Sequence, residues 1–301
     1  MSLDLKEMIR IGAKQLEDAG VCDSEFDAKE LYCFMTGLDR VGLLMNWQES
    51  VPDNRVDRYF ELIEERAKRV PLQHITGVQE FMGFKFKVSD AVLIPRQDTE
   101  TLVEDVISLI EKQSLRGEKY LSKRTKITDI LDLCTGSGAI GISLSKLTKG
   151  TKVTCSDISE EAISIARENA EDNDARGIKF IVSDMFFELK GAFGKKKFDL
   201  IVSNPPYIEK DVIETLEPEV RDHEPRIALD GGDDGLDFYK RIAEEAPEHM
   251  NKSAVLIMEI GFNQGESVSE ILREQGLFEN IVVLKDLTGK DRIVAAIYNQ
   301  K

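Results

Sequence analysis

Apolar runs of strand length alternate with helical stretches through the second half of the chain, and this alternation restricts the fold more than any other feature. Ile130–Leu133 reads as a strand followed by a helix to about Lys146, and Val153–Ser156 with a helix Ser159–Asn173 repeats the pair. Lys179–Ser183 and Phe198–Ser203 add two strands. Such a series predicts an α/β fold, a Rossmann-like sheet that is mostly parallel with helices on both faces. Ala254–Ile260 gives another strand after a helix near Phe238–Glu245. Ile281–Leu284 and Arg292–Tyr298 flank Asp286-Leu-Thr-Gly-Lys-Asp291, a hairpin signal that puts an antiparallel strand at one edge.

The first seventy residues carry only helical patterns. Leu5, Ile9 and Leu16 share a face of a helix that Gly20 can end; Ser24 is expected to cap a second, with Leu31 and Met35 inward and Gly37 closing it. Pro52 opens a third, in which Val56, Phe60, Ile63, Ala67 and Val70 follow the rhythm of a buried stripe. Glu64 with Lys68 and Glu65 with Arg69 stand four apart as charge pairs on its outer face. From Gln79 to Ile94 the period changes: Phe81, Phe84, Phe86 and Val88, then Val92–Ile94 around Ser89-Asp90, suggest a short hairpin that Pro95 ends. A helix from about Thr99 to Lys112 follows, then a charged surface connection from Glu118 to Lys126. A chain of 301 residues suits two domains. The expected division is a helical domain 1–75, a β-hairpin linker 76–98 and an α/β domain 99–301.

Lys and Arg number 40 against 56 Asp and Glu, a net charge of −16 that repels nucleic-acid phosphates and accommodates a basic protein partner more easily. Cys22, Cys33, Cys134 and Cys155 form no CxxC pair and have only three histidines to assist, so no metal site is expected. Met1–Arg10 has no uninterrupted apolar run for a signal peptide or membrane span, and a cytoplasmic location is the expectation.

Two stretches carry chemistry. The segment Ile130-Leu-Asp-Leu-Cys134-Thr135-Gly136-Ser137-Gly138-Ala-Ile-Gly141 runs from a strand through glycines into a helix, so its backbone can approach an anionic ligand at the helix N-terminus. Asp157 ends the next strand about twenty residues on, where a carboxylate can accept from ribose hydroxyls; together they predict a nucleoside-containing cofactor. The plainer alternative is a packing turn with Asp157 as a cap. Asp184 and Met185, after the third strand, are placed to meet a base, Asp184 at an exocyclic amine and Met185 at a ring face. The second stretch, Asn204-Pro205-Pro206-Tyr207, leaves a strand at the sheet edge where open α/β folds bind ligands. Its prolines hold an extended backbone, so the side-chain carbonyl of Asn204 and the carbonyl of Pro205 can accept both N–H bonds of a planar NH2 group. Tyr207 can cover that group and stabilise a nearby sulfonium by cation–π attraction. An amide nitrogen is a poor nucleophile because its lone pair is delocalised, and such acceptors raise its electron density and aim it.

At these residues the chain resembles the S-adenosylmethionine-dependent methyltransferases that carry Asn-Pro-Pro-Tyr. Within them it resembles the peptide chain release factor glutamine methyltransferases, the HemK/PrmC family. The likeness extends to Pro71-Leu-Gln-His-Ile-Thr-Gly77, Glu80-Phe-Met-Gly83, Val92-Leu-Ile-Pro-Arg96-Gln-Asp-Thr-Glu100, Ala228-Leu-Asp-Gly-Gly232, Gly235-Leu-Asp-Phe-Tyr239 and Glu259-Ile-Gly-Phe-Asn-Gln-Gly265. It implies a class I methyltransferase sheet and methyl transfer from S-adenosylmethionine, giving S-adenosylhomocysteine. The acceptor would be the side-chain amide nitrogen of the glutamine in the Gly-Gly-Gln motif of release factors. By the same resemblance, Cys134–Gly138, Asp157, Met185 and Asn204 would bind the cofactor and Asn204–Tyr207 the glutamine. Cys134 stands where glycine is frequent and Met185 where an aromatic often covers adenine, so altered affinity with retained binding is expected. Arg96 and Glu100 are expected either in the substrate pocket or as an ion pair bracing the hairpin. The helical domain is expected to recognise the protein substrate, the partners to be release factors without direct nucleic-acid or membrane contact, and the protein to be a monomer.

Between Ile208 and Asp237 eleven acidic residues face three basic ones, Lys210, Arg221 and Arg226. This segment reads as a solvated loop or as an acidic rim that attracts a basic substrate domain. A nucleic-acid adenine amino-methyltransferase is the rival enzyme, since adenine presents a similar NH2 group, but the acidic balance supplies no DNA-binding surface. A nicotinamide dehydrogenase would leave the tetrapeptide without purpose.

Overall fold

The computed structural model describes residues 3–121, 125–190 and 196–299. It divides into two units, Met1–Val78 with Leu216–His223, and Gln79–Thr215 with Glu224–Lys301. Of the expected charged connection from Glu118 to Lys126, residues 122–124 lie outside the described residues.

The first unit is helical: α1 Leu5–Asp18, α2 Ser24–Thr36, α3 Arg40–Met45, α4 Asp53–Ala67 and α5 Leu72–Thr76. Asp4 caps α1 by accepting from the Glu7 N–H at 2.7 Å, and Asp39 caps α3 in the same way through Gly42. Helices α3 and α5, of six and five residues, are too short for a periodic signal. Ser24 does not act as the expected cap; it is the first helical residue, and Asp23 precedes it with no side-chain cap bond. The buried face of α4 is also rotated from the expected stripe. Tyr59, Leu62, Ile63 and Arg66 turn inward, while Val56, Phe60 and Ala67 are only partly buried.

Two polar anchors explain that rotation. Tyr59 donates to the Ala28 carbonyl at 3.2 Å, entering where a Cβ on Gly12 would stand only 2.4 Å from its hydroxyl. Arg66 donates to the buried Asp27 carboxylate at 2.7 Å and pairs with Glu219 at 2.9 Å. Burial nonetheless pushes the Asp27 carboxyl up, with Arg66 opposing it. Arg69 pairs with Glu217 and Glu219 at 2.8 and 2.6 Å rather than with Glu65. Residues 216–223 are thereby part of the helical unit, carrying a short helix (Pro218–Arg221).

β1 Val78–Phe81, whose first residue closes the first unit, leads into the second with β2 Phe84–Lys87, then α6 Gln97–Lys112 and a small hairpin of β3 Ser114–Leu115 and β4 Glu118–Lys119. β5 Asp129–Leu133, α7 Ala139–Leu147, β6 Lys152–Asp157, α8 Glu160–Asp172, β7 Lys179–Val182 and β8 Phe198–Ser203 follow. The chain continues through α9 Lys210–Ile213, the segment carrying α10 Pro218–Arg221, α11 Asp237–Glu245, β9 Met250–Glu259, α12 Gly265–Gln275, β10 Phe278–Lys285 and β11 Asp291–Tyr298. The hairpin β1–β2 turns at Met82-Gly83, both with positive φ (52° and 77°), not at Ser89-Asp90. Its Phe81 and Phe86 pack edge to face inside the main core of this unit.

Seven strands form one sheet in the order β10-β11-β9-β8-β5-β6-β7, with β7 to β9 parallel and β11 and β10 antiparallel at one edge. Alternate side chains feed two cores. Ile130, Leu200 and Ile257 pack with α6 and α7 on one face, and Leu131, Ile201 and Met258 with α11 and α12 on the other. The order reverses at β5, which pairs with β6 on one side and β8 on the other, so the loops after β5 and β8 leave the sheet side by side.

Arg66→Leu should destabilise the helical unit by about 3 kcal/mol, because it strands the Asp27 carboxylate in the interior. Urea unfolding followed through Trp47, the single tryptophan and part of this core, reads the change. The double variant Asp27→Asn, Arg66→Leu should recover part of the loss.

Candidate active site

A cavity of about 270 Å³ opens at the carboxyl edge of the sheet, where those two loops emerge. It gathers Cys134, Thr135, Gly136 and Ser137 from the β5 loop, Asp157 from β6, and Asp184 and Met185 from the loop after β7. Asn204 and Pro206 line it from the β8 loop, with Arg96 and Thr99 from the start of α6. Gly138, Pro205, Tyr207 and Glu100, also singled out from sequence, do not line it.

The β5 loop owes its shape to a buried carboxylate beneath it. Asp132 Oδ2 accepts from the Thr135 hydroxyl and from the Gly141 N–H at 2.9 Å, while Oδ1 is buried without a hydrogen-bond partner. Burial pushes this carboxyl up to about 7, against those two donors. Cys134, Gly136 and Gly138 all take left-handed conformations (φ 60°, 54° and 83°), so the cysteine occupies a backbone setting that glycine enters without strain. A Cβ at Gly136 would meet nothing within 4 Å, so its glycine serves the turn and leaves the backbone bare at the cavity wall. At Gly141 a Cβ would stand 2.4 Å from Cys155 Sγ, so this glycine serves the packing of α7 on the sheet.

Asp157 is held from both sides. Its Oδ2 accepts from the Gly136 N–H at 2.8 Å and its Oδ1 from the Ser159 N–H at 3.0 Å; burial pushes its carboxyl up despite them. With the Ile158 N–H also acting on it, the carboxylate still has acceptor capacity left for a hydroxyl in the cavity. Met185 is buried, in a left-handed conformation (φ 48°) that turns the chain at the cavity wall. Asp184 is exposed and pairs with Arg241 at 2.9 Å, so an exocyclic amine would have to compete with a guanidinium for it. A bare glycine backbone, a carboxylate aimed at hydroxyls and an apolar Met185 wall fit the adenosine half of S-adenosylmethionine.

The tetrapeptide is clamped from several directions. Asn204 donates through Nδ2 to the Thr99 hydroxyl at 3.3 Å, leaving Oδ1 as its acceptor end. Tyr207 does not cover the cavity; its phenol donates to Glu259 at 3.3 Å, and burial beside that carboxylate raises its pKa. The Tyr207 carbonyl accepts from Gln264 Nε2 at 2.9 Å. A Cβ on Gly231 would meet the Tyr207 Cα at 2.7 Å, and one on Gly235 the Tyr207 carbonyl oxygen at 2.5 Å. The glycines of the Asp230-Gly-Gly232 and Gly235 blocks are therefore needed for close approach of two backbones, joined by the Ile208–Asp230 bridge.

Arg96 and Glu100 do not pair with each other. Arg96 pairs with Glu224, which is buried against the cavity wall formed by Pro225 and Ile227, and Glu100 accepts from the Met82 N–H at 2.6 Å, bracing the hairpin turn through its backbone. Part of the acidic segment's charge is met by cations of the same chain. Glu214 and Asp230 face Arg226, Asp222 faces Arg221, Asp234 and Asp237 face Lys240, Glu217 and Glu219 face Arg69, and Glu224 faces Arg96. Three of these five cations lie outside the segment, so a local count overstates its field. Thr99, Asp132, Glu259 and Gln264 went unnoticed as site residues in the sequence; only the spacing of the Glu259–Gly265 block could have pointed to two of them.

Gly141→Ala should lower stability by about 1 to 3 kcal/mol, since Cys155 and Asp132 must move for the new methyl group. It should also weaken S-adenosylmethionine binding through the loop that Asp132 holds. Thermal melts with and without S-adenosylmethionine separate the two effects; an unchanged ligand-induced shift would disconnect Asp132 from the cavity.

Comparison with known proteins agrees with this geometry. Residues 7–77 match the PrmC N-terminal domain family and residues 119–218 the methyltransferase small domain family. The release factor glutamine methyltransferase of Clostridium botulinum is 37% identical over 293 residues, covering 97% of this chain and 98% of that protein. That of Clostridium acetobutylicum is 39% identical over 271 residues, 90% of each chain. Among solved structures, the catalytic domain of hMettl16 superposes with a TM-score of 0.55 at 16% identity, covering 79% of this chain and 82% of that one. Human methyltransferase 10 domain containing protein gives 0.52 at 18%, covering 80% and 97%. These two likenesses show the class I methyltransferase fold alone. With a helical unit, a glycine-loop cavity and a clamped Asn-Pro-Pro-Tyr all in one chain, and relatives alike over nearly its whole length, this protein is a member of the release factor glutamine methyltransferase family.

Proposed function

We propose that the chain methylates the side-chain amide nitrogen of the glutamine in the Gly-Gly-Gln motif of peptide chain release factors, using S-adenosylmethionine. One observation carries the reading: Asn204 lines the cavity with Nδ2 committed to Thr99, which leaves its carbonyl oxygen to accept from a substrate NH2. When bound, S-adenosylmethionine supplies a methyl carbon made electrophilic by the neighbouring sulfonium. Asp157 and the backbone of Gly136 would hold its ribose, and Met185 its base.

The remaining work falls to the acceptor site. Asn204 Oδ1, the acceptor that lines the cavity, accepts one amide N–H, and that hydrogen bond raises electron density on a nitrogen otherwise drained by its carbonyl. Pro205 and Pro206 fix the backbone, so no reorganisation is needed as charge develops. Tyr207 contributes through its backbone and its bond to Glu259, and a direct cation–π role finds no support in its position. The helical unit would recognise the release factor. An adenine amino-methyltransferase is not favoured, because the curated relatives are named for release factors.

Incubating the protein with S-adenosylmethionine and a recombinant release factor should add one methyl group to the motif glutamine, located by mass spectrometry. Label on a release factor whose motif glutamine is changed to alanine would refute the assignment. Asn204→Ala should lower turnover by about two to three orders of magnitude.

A further inference from the structure

Glu259 ends β9, and the parallel pairing of Ser203 with Met258 sets it beside the residue that follows β8, Asn204. Its side chain is 1% exposed and both oxygens are occupied: Oε2 accepts from the Thr99 hydroxyl at 2.7 Å and Oε1 from the Tyr207 phenol at 3.3 Å. Thr99 in turn accepts from Asn204 Nδ2. Thr99 and Asn204 line the cavity and Glu259 does not, so the carboxylate acts at one remove.

Resting on the methyl-transfer reading, we propose that Glu259 is a positioning residue that sets which end of the Asn204 amide faces the substrate. The argument is one of hydrogen-bond direction. A carboxylate only accepts, so the single Thr99 proton is committed to Glu259. Thr99 can then offer Asn204 only a lone pair, and the amide must turn its nitrogen toward Thr99 and its oxygen away. An amide at position 259 would break this order. Its NH2 could donate to Thr99, free the hydroxyl proton for Asn204 Oδ1, and let the Asn204 amide flip. The flipped amide would present an NH2 to the NH2 of the substrate, donor against donor.

The surroundings keep Glu259 in its accepting form at neutral pH. Burial pushes its carboxyl up to about 6, while the Thr99 hydroxyl, Arg292 and Tyr207 hold it down. From α6 it faces Asp98 and Thr99, from the β8 loop Tyr207, and from β11 Arg292, which pairs with Asp98 and Asp286 at 3.1 Å each; Tyr239 of α11 donates to its backbone carbonyl at 3.0 Å. Below about pH 6 the carboxyl gains a proton and an O–H donor, and the order is lost as in the amide variant.

The test is Glu259→Gln, matched in shape, assayed against a release factor. Its kcat should fall about tenfold or more with the KM for S-adenosylmethionine and the melting temperature nearly unchanged. The acid limb of the wild-type kcat profile near pH 6 should disappear in the variant. Thr99→Val should lose a similar factor, add little when combined with Glu259→Gln, and be largely recovered by Thr99→Ser, which keeps the hydroxyl. Wild-type kcat with the same acid limb in Glu259→Gln would overturn the proposal. A second readout needs no turnover: in the asparagine-labelled full chain, the side-chain NH2 resonances of Asn204, assigned with Asn204→Asp, should shift and exchange faster in Glu259→Gln. Unmoved resonances would also overturn it, whereas a wild type inactive on release factors strikes the methyl-transfer reading alone.

Discussion

Strand β8 is paired on both sides, with Ser203 level with Leu133 of β5 and with Met258 of β9. That register is the constraint on which the site depends. It releases the glycine loop, the tetrapeptide and Glu259 from the sheet at one height and in adjacent positions. A parallel ladder buried on both faces cannot slip by one residue without turning Leu200, Val202 and Ile257 from one core into the other, so the packing of the interior fixes the placement of the chemistry.

Three interior carboxylates show how the fold turns a costly group into a fixed acceptor. Burial disfavours ionisation of Asp27, Asp132 and Glu259 alike, yet each is held differently. Asp27 has a guanidinium, Asp132 a hydroxyl and a backbone N–H, and Glu259 two hydroxyls. Only the first is a salt bridge, and it orients α4 in the helical unit. The other two shape the glycine loop after β5 and the tetrapeptide after β8. The acidic stretch from Ile208 to Asp237 is different: most of its carboxylates meet arginines or lysines of the same chain, several of them remote in sequence.

Much of this was legible beforehand because it rests on local signals. Strand–helix alternation pointed to the sheet and the hairpin signal at Asp286–Asp291 to its antiparallel edge, and the glycine loop, Asp157 and Asn204 were each marked by their place at a strand end. The failures have a common cause in partners remote in sequence. Tyr59 and Arg66 turned α4 toward Ala28 and Asp27; Arg96 chose Glu224 over Glu100, and Arg69 chose Glu219 over Glu65. The hairpin turn was misplaced because Ser89-Asp90 looks like a turn while Met82-Gly83 becomes one only with Glu100 holding the Met82 N–H. Tyr207, which follows Pro206 in sequence, bonds to Glu259 and does not line the cavity.

By itself the sequence determined the class of fold, the residues that meet at the sheet edge and, through its blocks, the family to which the chain belongs. These follow from periodicity and from residue types whose chemistry does not depend on neighbours. Only the tertiary structure decided the direction of each hydrogen bond: that Asn204 points its nitrogen to Thr99, that Thr99 gives its proton to Glu259, and that Tyr207 does the same. Direction depends on which donor meets which acceptor across elements up to 160 positions apart, and no local pattern encodes that meeting.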